Sequence, residues 1–478
     1  MQHDRITEYL AAHRKEILER LSALCAIPSV EGVPSEGKPF GEQVDRALEA
    51  ARAMFAEEGF ATERDPEGRF VLASYGEGEH TIGIFAHADV VPAGNGWAVT
   101  EPFAPVEHEG LLVARGAEDN KGGVIAALYL LKAVRELSLP LGARLLVFIG
   151  GNEESGMSDI HGFLKTHRPP DVSLVPDNDA PLSLGEKGRA IGCLVSPPLL
   201  SEVIDFTGGD AYNVVLDRVR VTLLYSEPLL ASLIGLTEGR EELSLSADPE
   251  AGRIYLDARG RSAHAAAPAG SVNAAAVAAE LLASSEALSV DERGVLASAA
   301  LFLSDPYGGT LGIAGRDGPF GGRTAVNGMV RVRGGRLLLS EDIRYGIPAT
   351  FAELYPAIAE NVEAEDWEAH LVSEGDGYDV GDADPLAEVL LASYRRLTGV
   401  TDAKPYRSGG GTYARHLPRA FSHGLTVPGI GPSPAAILGE GHGDPHRPDE
   451  CIPVESYLAA MRILIEYAQV AADFVNNE

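Results

Sequence analysis

Apolar positions recur near a helical period from residue 4 to residue 25, where Ile6, Leu10, Ile17, Leu21 and Leu24 share one face before Pro28 ends the pattern. A second helical stretch runs from about Phe40 to Glu58 and stops at Gly59. The texture then alternates. ArgPheValLeuAlaSerTyr, ThrIleGlyIlePheAla and GlyLeuLeuValAla read as strands, a helix follows from about Lys121 to Leu137, and ArgLeuLeuValPheIleGly reads as a buried strand. A helix near Asp159 to Thr166 leads into the short strand ValSerLeuValPro. Strands this apolar, alternating with helices, predict an α/β fold with a mainly parallel sheet covered on both faces.

From about Lys187 the pattern changes to short strands broken by Gly, Ser and charged residues, including Gly252 to Gly260, with helices at about Ser271 to Ser285 and Thr350 to Glu363. That is the texture of an α+β domain with antiparallel strands. After Pro385 a helix over Leu386 to Leu397, a Gly-rich loop, a strand at about Ala435 to Leu438 and a closing helix from Val454 to about Phe474 return to the first texture. The simplest organisation is a discontinuous first domain, 1–186 and 385–478, with residues 187–384 inserted into it.

A chain of 478 residues exceeds what one core holds, which agrees with that division. Asp and Glu number 70 against 39 Lys and Arg, for a net charge of −31. This argues against a nucleic-acid or anionic-membrane partner, either of which favours a basic face. Cys25, Cys193 and Cys451 are far apart and form no CxxC pair, so neither a thiolate zinc site nor a disulfide framework is expected. The polar amphipathic start lacks the apolar core of a secretory signal and no apolar run approaches membrane-spanning length, so the expected compartment is the cytoplasm.

The candidate chemistry lies at the carboxyl ends of the predicted strands, where open α/β sheets place ligands. His87 ends ThrIleGlyIlePheAla, and Asp89, two residues on, points to the same side of an extended chain, where it can orient the imidazole. Asp119 opens AspAsnLysGlyGly after a short strand and before the Lys121 helix. On its own it would be a helix cap. Glu153 and Glu154 follow Gly150, and adjacent carboxylates on a turn can divide labour, one binding a metal and the other moving protons. Asp177 follows ValSerLeuValPro. Four strand ends bearing His or a carboxylate would meet at one sheet edge. His87, Asp119, Glu154 and Asp177 suit zinc, manganese or cobalt. A further histidine is wanted for two cations, and His446 and His442 are close rivals for it.

HisAlaAspValValPro, AspAsnLysGlyGly, AsnGluGluSerGly, ProAspAsnAsp and HisArgProAspGlu together resemble the motifs of the dinuclear aminoacylase and peptidase family M20. GlyGluLysGly at Gly185 to Gly188, GlyGlyAspAlaTyrAsnVal at Gly208 to Val214 and GlyGlyGlyThrTyrAla at Gly409 to Ala414 are similar to its Xaa-His dipeptidase branch, the PepV type. The one departure is Asp376 to Pro385, which lacks the HisTyrValPro wording of close dipeptidase relatives.

The resemblance implies a mainly parallel-sheet dinuclear metallopeptidase domain with an inserted α+β lid. It makes Asp119 the carboxylate bridging two divalent cations, zinc first with manganese or cobalt as substitutes. His87 and Asp177 complete one site, Glu154 and His446 the other, and the HisXaaXaaAspGlu pattern selects His446 over His442. A cis peptide is implied between Asp119 and Asn120. Glu153 becomes the general base, with Asp89 behind His87, and His264 in SerAlaHisAla a donor to the oxyanion when the domains close. Asn213 and Arg344 would grip the substrate's terminal carboxylate, and Gly410 and Thr412 of the Gly-rich loop would lie along its backbone. The implied activity is hydrolysis of dipeptides, with an N-acyl or N-succinyl amino acid deacylase (succinyl-diaminopimelate desuccinylase or acetylornithine deacetylase type) as the alternative. A small peptide is the expected partner. The long insert inclines towards a monomer, although smaller-lid relatives form dimers.

Overall fold

The computed structural model describes residues 2–478, with side chains from Arg5 onward, and divides the chain into two compact units. One comprises Met1–Gly185, Val380–Tyr406 and Gly411–Glu478; the other comprises Glu186–Asp379 and Arg407–Gly410.

The first unit is built on a sheet whose strands run in the order Ala61–Arg64, Phe70–Tyr75, Arg144–Gly150, Thr81–His87, Val172–Val175, Ala420–Ser422, Ser183–Glu186. Its central strands are parallel: Thr81–His87 pairs in parallel with both Arg144–Gly150 and Val172–Val175, and Ala420–Ser422 runs parallel to the latter. The flanking pairs are antiparallel. The continuous apolar runs of the central strands explain their place, since a strand covered on both faces has no polar side. The helix Lys121–Glu136 packs against them and is buried from Lys121 to Val134. A helix apolar on every face is stable only inside. The helix Pro385–Thr398 takes its bounds from local chemistry: Asp384 caps the amides of Leu386 and Ala387, Pro385 fills the first turn, and Gly399 leaves it in the left-handed region.

The second unit is α+β. A four-stranded antiparallel sheet has the order Val203–Thr207, Arg218–Leu224, Arg253–Arg259, Leu243–Asp248. A five-stranded sheet centres on Arg336–Tyr345 and Gly188–Val195. The helices Glu227–Thr237, Ala274–Ala283, Val290–Ser304 and Phe351–Glu363 cover them, and Thr350 and Glu353 form a reciprocal capping box at the start of the last.

Three expectations need correction. The first helix is two, Gln2–Ala12 and Arg14–Cys25, parting at His13 (φ −95°, ψ 4°), where the imidazole Nδ1 donates to the Tyr9 carbonyl at 2.8 Å. The expected strand at Ala435 to Leu438 is a short helix, Pro434–Leu438, with proline at its first turn. GlyLeuLeuValAla forms Leu111–Val113 of a separate antiparallel sheet with Val106–His108 and Cys451–Pro453, so Asp119 does not stand at an end of the main sheet. The helices Glu227–Thr237 and Val290–Ser304 were not foreseen, since the apolar run Leu229 to Leu236 reads equally as a strand. No helix among the described residues is long and apolar enough to cross a membrane.

Candidate active site

Parallel strands deliver three of the acidic and imidazole groups to one edge. His87 ends its strand opposite Gly150 in the register, the Glu153–Glu154 turn follows Gly150, and Asp177 follows Val175 on the strand paired to the other side of Thr81–His87. Asp119 arrives by another route. Its loop hangs on Glu450, which is fully buried: one Glu450 oxygen accepts the backbone N–H groups of Gly116, Glu118 and Asp119 at 2.9, 3.2 and 3.2 Å, and the other accepts Arg115 Nη1 at 2.5 Å. The small sheet therefore ties the Asp119 loop to the segment carrying His446, with Ala114 N–H donating to the Glu450 carbonyl at 2.9 Å. The peptide between Asp119 and Asn120 is cis. Asn120 Nδ2 donates to the Pro176 carbonyl at 2.6 Å and to Asp177 Oδ1 at 2.9 Å, joining the Asp119 and Asp177 loops.

Two donor groups result, one of His87, Asp119 and Asp177, the other of Asp119, Glu154 and His446, each set of ligand atoms lying within 4.8 Å of one another. The two oxygens of Asp119 divide between them. Oδ1 lies 3.1 Å from His87 Nε2, and Oδ2 lies 3.0 Å from His446 Nε2. Asp177 Oδ2 is 3.7 Å from His87 Nε2 and Glu154 Oε2 is 3.2 Å from His446 Nε2. His446 adopts a left-handed φ of 64°. Its rival His442 instead places Nδ1 2.7 Å from Asp449 Oδ2, and Asp449 holds the Ala98 and Val99 amides.

Asp89 is 1% exposed and lies behind His87, whose Nδ1 is 3.0 Å from the Asp89 carbonyl and 3.4 Å from its Oδ1, while Asp89 Oδ2 accepts the Glu154 N–H at 3.1 Å. The contact at Nδ1 fixes the ring so that Nε2 faces Asp119 and Asp177. The electrostatics are those of a site short of positive charge. Burial first, then neighbouring carboxylates, push the Glu153 and Glu154 carboxyls up. Asp177 is raised by burial, with His87 pulling the other way. Burial pulls the His87 imidazole down, but Asp177, Asp119 and Asp89 carry it well above the ordinary histidine value. Among the described residues, Asp89 Oδ1, Glu153 Oε1 and Glu154 Oε1 are buried without a hydrogen-bond partner. Of these only Glu154 belongs to a donor group; together Asp119, Glu154 and Asp177 with the two imidazoles form an anionic oxygen and nitrogen donor set, which fits divalent cations.

The other expected residues lie in the second unit, Thr412 excepted. Asn213 and His264 are neighbours: Ala265 N–H donates to the Asn213 carbonyl at 2.8 Å and Val214 bridges His264. Ala266 N–H donates to His264 Nδ1 at 3.3 Å, which places the ring proton on Nε2. Arg344 is 4% exposed and already engaged, with Nε and Nη2 on Asp342 and Nη1 on the Gly409 carbonyl at 3.1 Å. Gly409 packs on Ala266, its absent Cβ falling 2.6 Å from that methyl, so this unit gathers Asn213, His264, Arg344 and the Gly409–Gly410 backbone. Gly410 N–H donates to Ser408 Oγ at 3.1 Å. Thr412, in the first unit, uses its hydroxyl to cap Ala414 N–H at 3.1 Å. Glu450 and Tyr413 lie within the HisArgProAspGlu and GlyGlyGlyThrTyrAla motifs without any local sign of their long-range contacts, and Asn120 is expected only as the second residue of a cis peptide, not as the link between the Asp119 and Asp177 loops.

A parallel-stranded α/β unit that gathers imidazoles and carboxylates at its carboxyl edge is the framework of a metallopeptidase-class hydrolase. The chain belongs to the peptidase family M20/M25/M40, whose profile matches residues 83–470. It is similar to the protein named "Putative dipeptidase YtjP" of Bacillus subtilis (strain 168), 30% identical over 453 residues covering 92% of each chain. A Staphylococcus aureus (strain USA300) protein also named a "Putative dipeptidase" is 29% identical over 433 residues, 87% of this chain and 91% of that one. Among solved structures, human carnosine dipeptidase 1 matches with a TM-score of 0.60 at 15% identity, covering 99% of both chains. The dipeptidase Dug1p of Saccharomyces cerevisiae matches with a TM-score of 0.58 at 14% identity, again over 99% of both. At such identities the structural likeness establishes the fold.

Proposed function

We propose that this chain is a dinuclear metal-dependent dipeptidase, a PepV-like exopeptidase that cleaves a short peptide to free amino acids. The observation that carries the reading is the division of Asp119, one of whose oxygens faces His87 and the other His446. His87, Asp177 and Asp119 Oδ1 would hold one cation, and Glu154, His446 and Asp119 Oδ2 the other. When bound, such cations supply Lewis acidity, lowering the pKa of water and polarising a carbonyl.

The protein's own groups do the rest. Glu153 takes the proton of the attacking water and returns it to the leaving amine, for which a carboxyl lifted by burial is suited. Asp89 fixes the His87 ring through Nδ1. His264, protonated on Nε2, donates to the oxyanion of the tetrahedral intermediate. Arg344 and Asn213 bind the terminal carboxylate, the guanidinium being oriented by Asp342, and the Gly410 and Thr412 backbone lies along the substrate.

A substrate panel tests the reading. After zinc reconstitution, carnosine-like and Ala-Ala-like dipeptides are expected to be hydrolysed and N-acetyl and N-succinyl amino acids to be spared. Turnover of the acyl amino acids alone would transfer the assignment to a deacylase.

A further inference from the structure

We propose that Tyr413 and Asp159 form a positioning pair that sets the Glu153–Glu154 turn against His87; the inference deepens the reading of Glu153 as base and rests on it. Tyr413 is fully buried, and its hydroxyl donates to Asp159 Oδ2 at 2.6 Å, across 254 positions of sequence. The same oxygen accepts the backbone N–H of Asn152, the residue before Glu153, at 2.8 Å, while Asp159 Oδ1 accepts Ile160 N–H at 2.7 Å. The hydroxyl and the base turn therefore converge on one acceptor. The tyrosine ring stands edge-on to His87, with centroids 6.4 Å apart at 86°, and edge-on to Phe148 at 5.2 Å. Phe148 and Gly150 point to the same face of their strand. A Cβ on Gly150 would fall 1.8 Å from the Tyr413 hydroxyl and 2.3 Å from Asp159 Oδ2, so the hydroxyl reaches its acceptor only because that position is glycine.

Packing alone would be served by phenylalanine. The hydroxyl adds a directional link between the ring resting on His87 and the amide that leads into Glu153 and Glu154. A buried hydrogen bond of this kind resembles the outer contacts that orient metal ligands, whose loss costs about 10–100-fold in affinity or activity. Both side chains are fully buried.

The test uses the full chain, with Tyr413→Phe and Asp159→Asn as separate variants and together. Zn2+ affinity, measured by competition with a chromophoric chelator, is expected to weaken about 10–100-fold in each. The kcat for Ala-Ala at saturating Zn2+ should fall by a similar factor, with KM within about threefold of wild type. The double variant should lose no more than the worse single, the mark of two residues acting as one device. A folded Tyr413→Phe with Zn2+ affinity and kcat within about twofold of wild type would overturn the inference, as would additive losses in the double variant. If Tyr413→Phe fails to fold, Asp159→Asn decides by the same measurements. If wild type hydrolyses no dipeptide, the dipeptidase reading falls, and the Zn2+ affinities still decide the role of the pair.

Discussion

The backbone N–H of Asp119 donates to the buried Glu450 carboxylate at 3.2 Å, 331 positions away in sequence. Glu450 also takes Gly116, Glu118 and the Arg115 guanidinium, so one carboxylate shapes the loop that presents Asp119.

Replacing Glu450 with alanine would leave Arg115 buried and unpaired and three amides without their acceptor. We expect a loss of about 3–5 kcal/mol in urea unfolding, the usual cost of stranding one member of a buried pair, together with weakened zinc binding. Glu450→Gln keeps an acceptor oxygen and should retain part of both. An alanine variant with unchanged unfolding would show that the loop is held by other contacts.

The Glu153→Ala variant should keep its zinc, because Glu153 belongs to neither donor group. Its kcat should drop by about 10²–10⁴-fold, the range for a lost general base. Metal retained with wild-type turnover would refute the assigned base.

The two C-terminal histidines should separate cleanly. His446→Ala removes a member of the second donor group and is expected to lower zinc content by one equivalent per chain. His442→Ala removes only the partner of Asp449 and should bind zinc as wild type does. Metal analysis after gel filtration reads both, and the reverse pattern would exchange their roles.

The second unit carries a pH-dependent element. Glu341 is buried, and burial lifts its carboxyl from an ordinary 4.5 to about 8, against the Asn327 amide that donates to it and with the charge of Asp342. Between those values the folded chain holds a proton that the unfolded chain has released. The contribution is therefore fully present below pH 4.5 and is lost as pH rises towards 8. Glu341→Gln should remove this slope and make the unit more stable at pH 8 by about 1–3 kcal/mol, the range for relieving an unsatisfied buried group. Urea unfolding at pH 5 and pH 8 checks it. Equal pH slopes in wild type and variant would contradict it.

The parallel core was legible because its strands are continuous apolar runs, and the ends of those runs located His87, the Glu153–Glu154 turn and Asp177. Asp119 was legible as a residue but not as a position. Its preceding strand belongs to another sheet, and a strand three residues long carries no sign of which sheet it joins. Glu450 stayed hidden because its role is to accept amides from a loop hundreds of residues away, which no local pattern records. The break at His13 and the helix at Pro434 escaped for the opposite reason: a single local contact at His13 and the proline in the first turn at Pro434 decide them, and neither alters the apolar pattern.

Asp119 is proposed to join two cations in a dipeptide-hydrolysing site. Titrating the metal-stripped protein with Zn2+ while following Ala-Ala hydrolysis decides the point. Activity is expected to rise to a plateau at two equivalents per chain and to be lost in Asp119→Ala. A plateau at one equivalent, or hydrolysis that survives without Asp119, would contradict it.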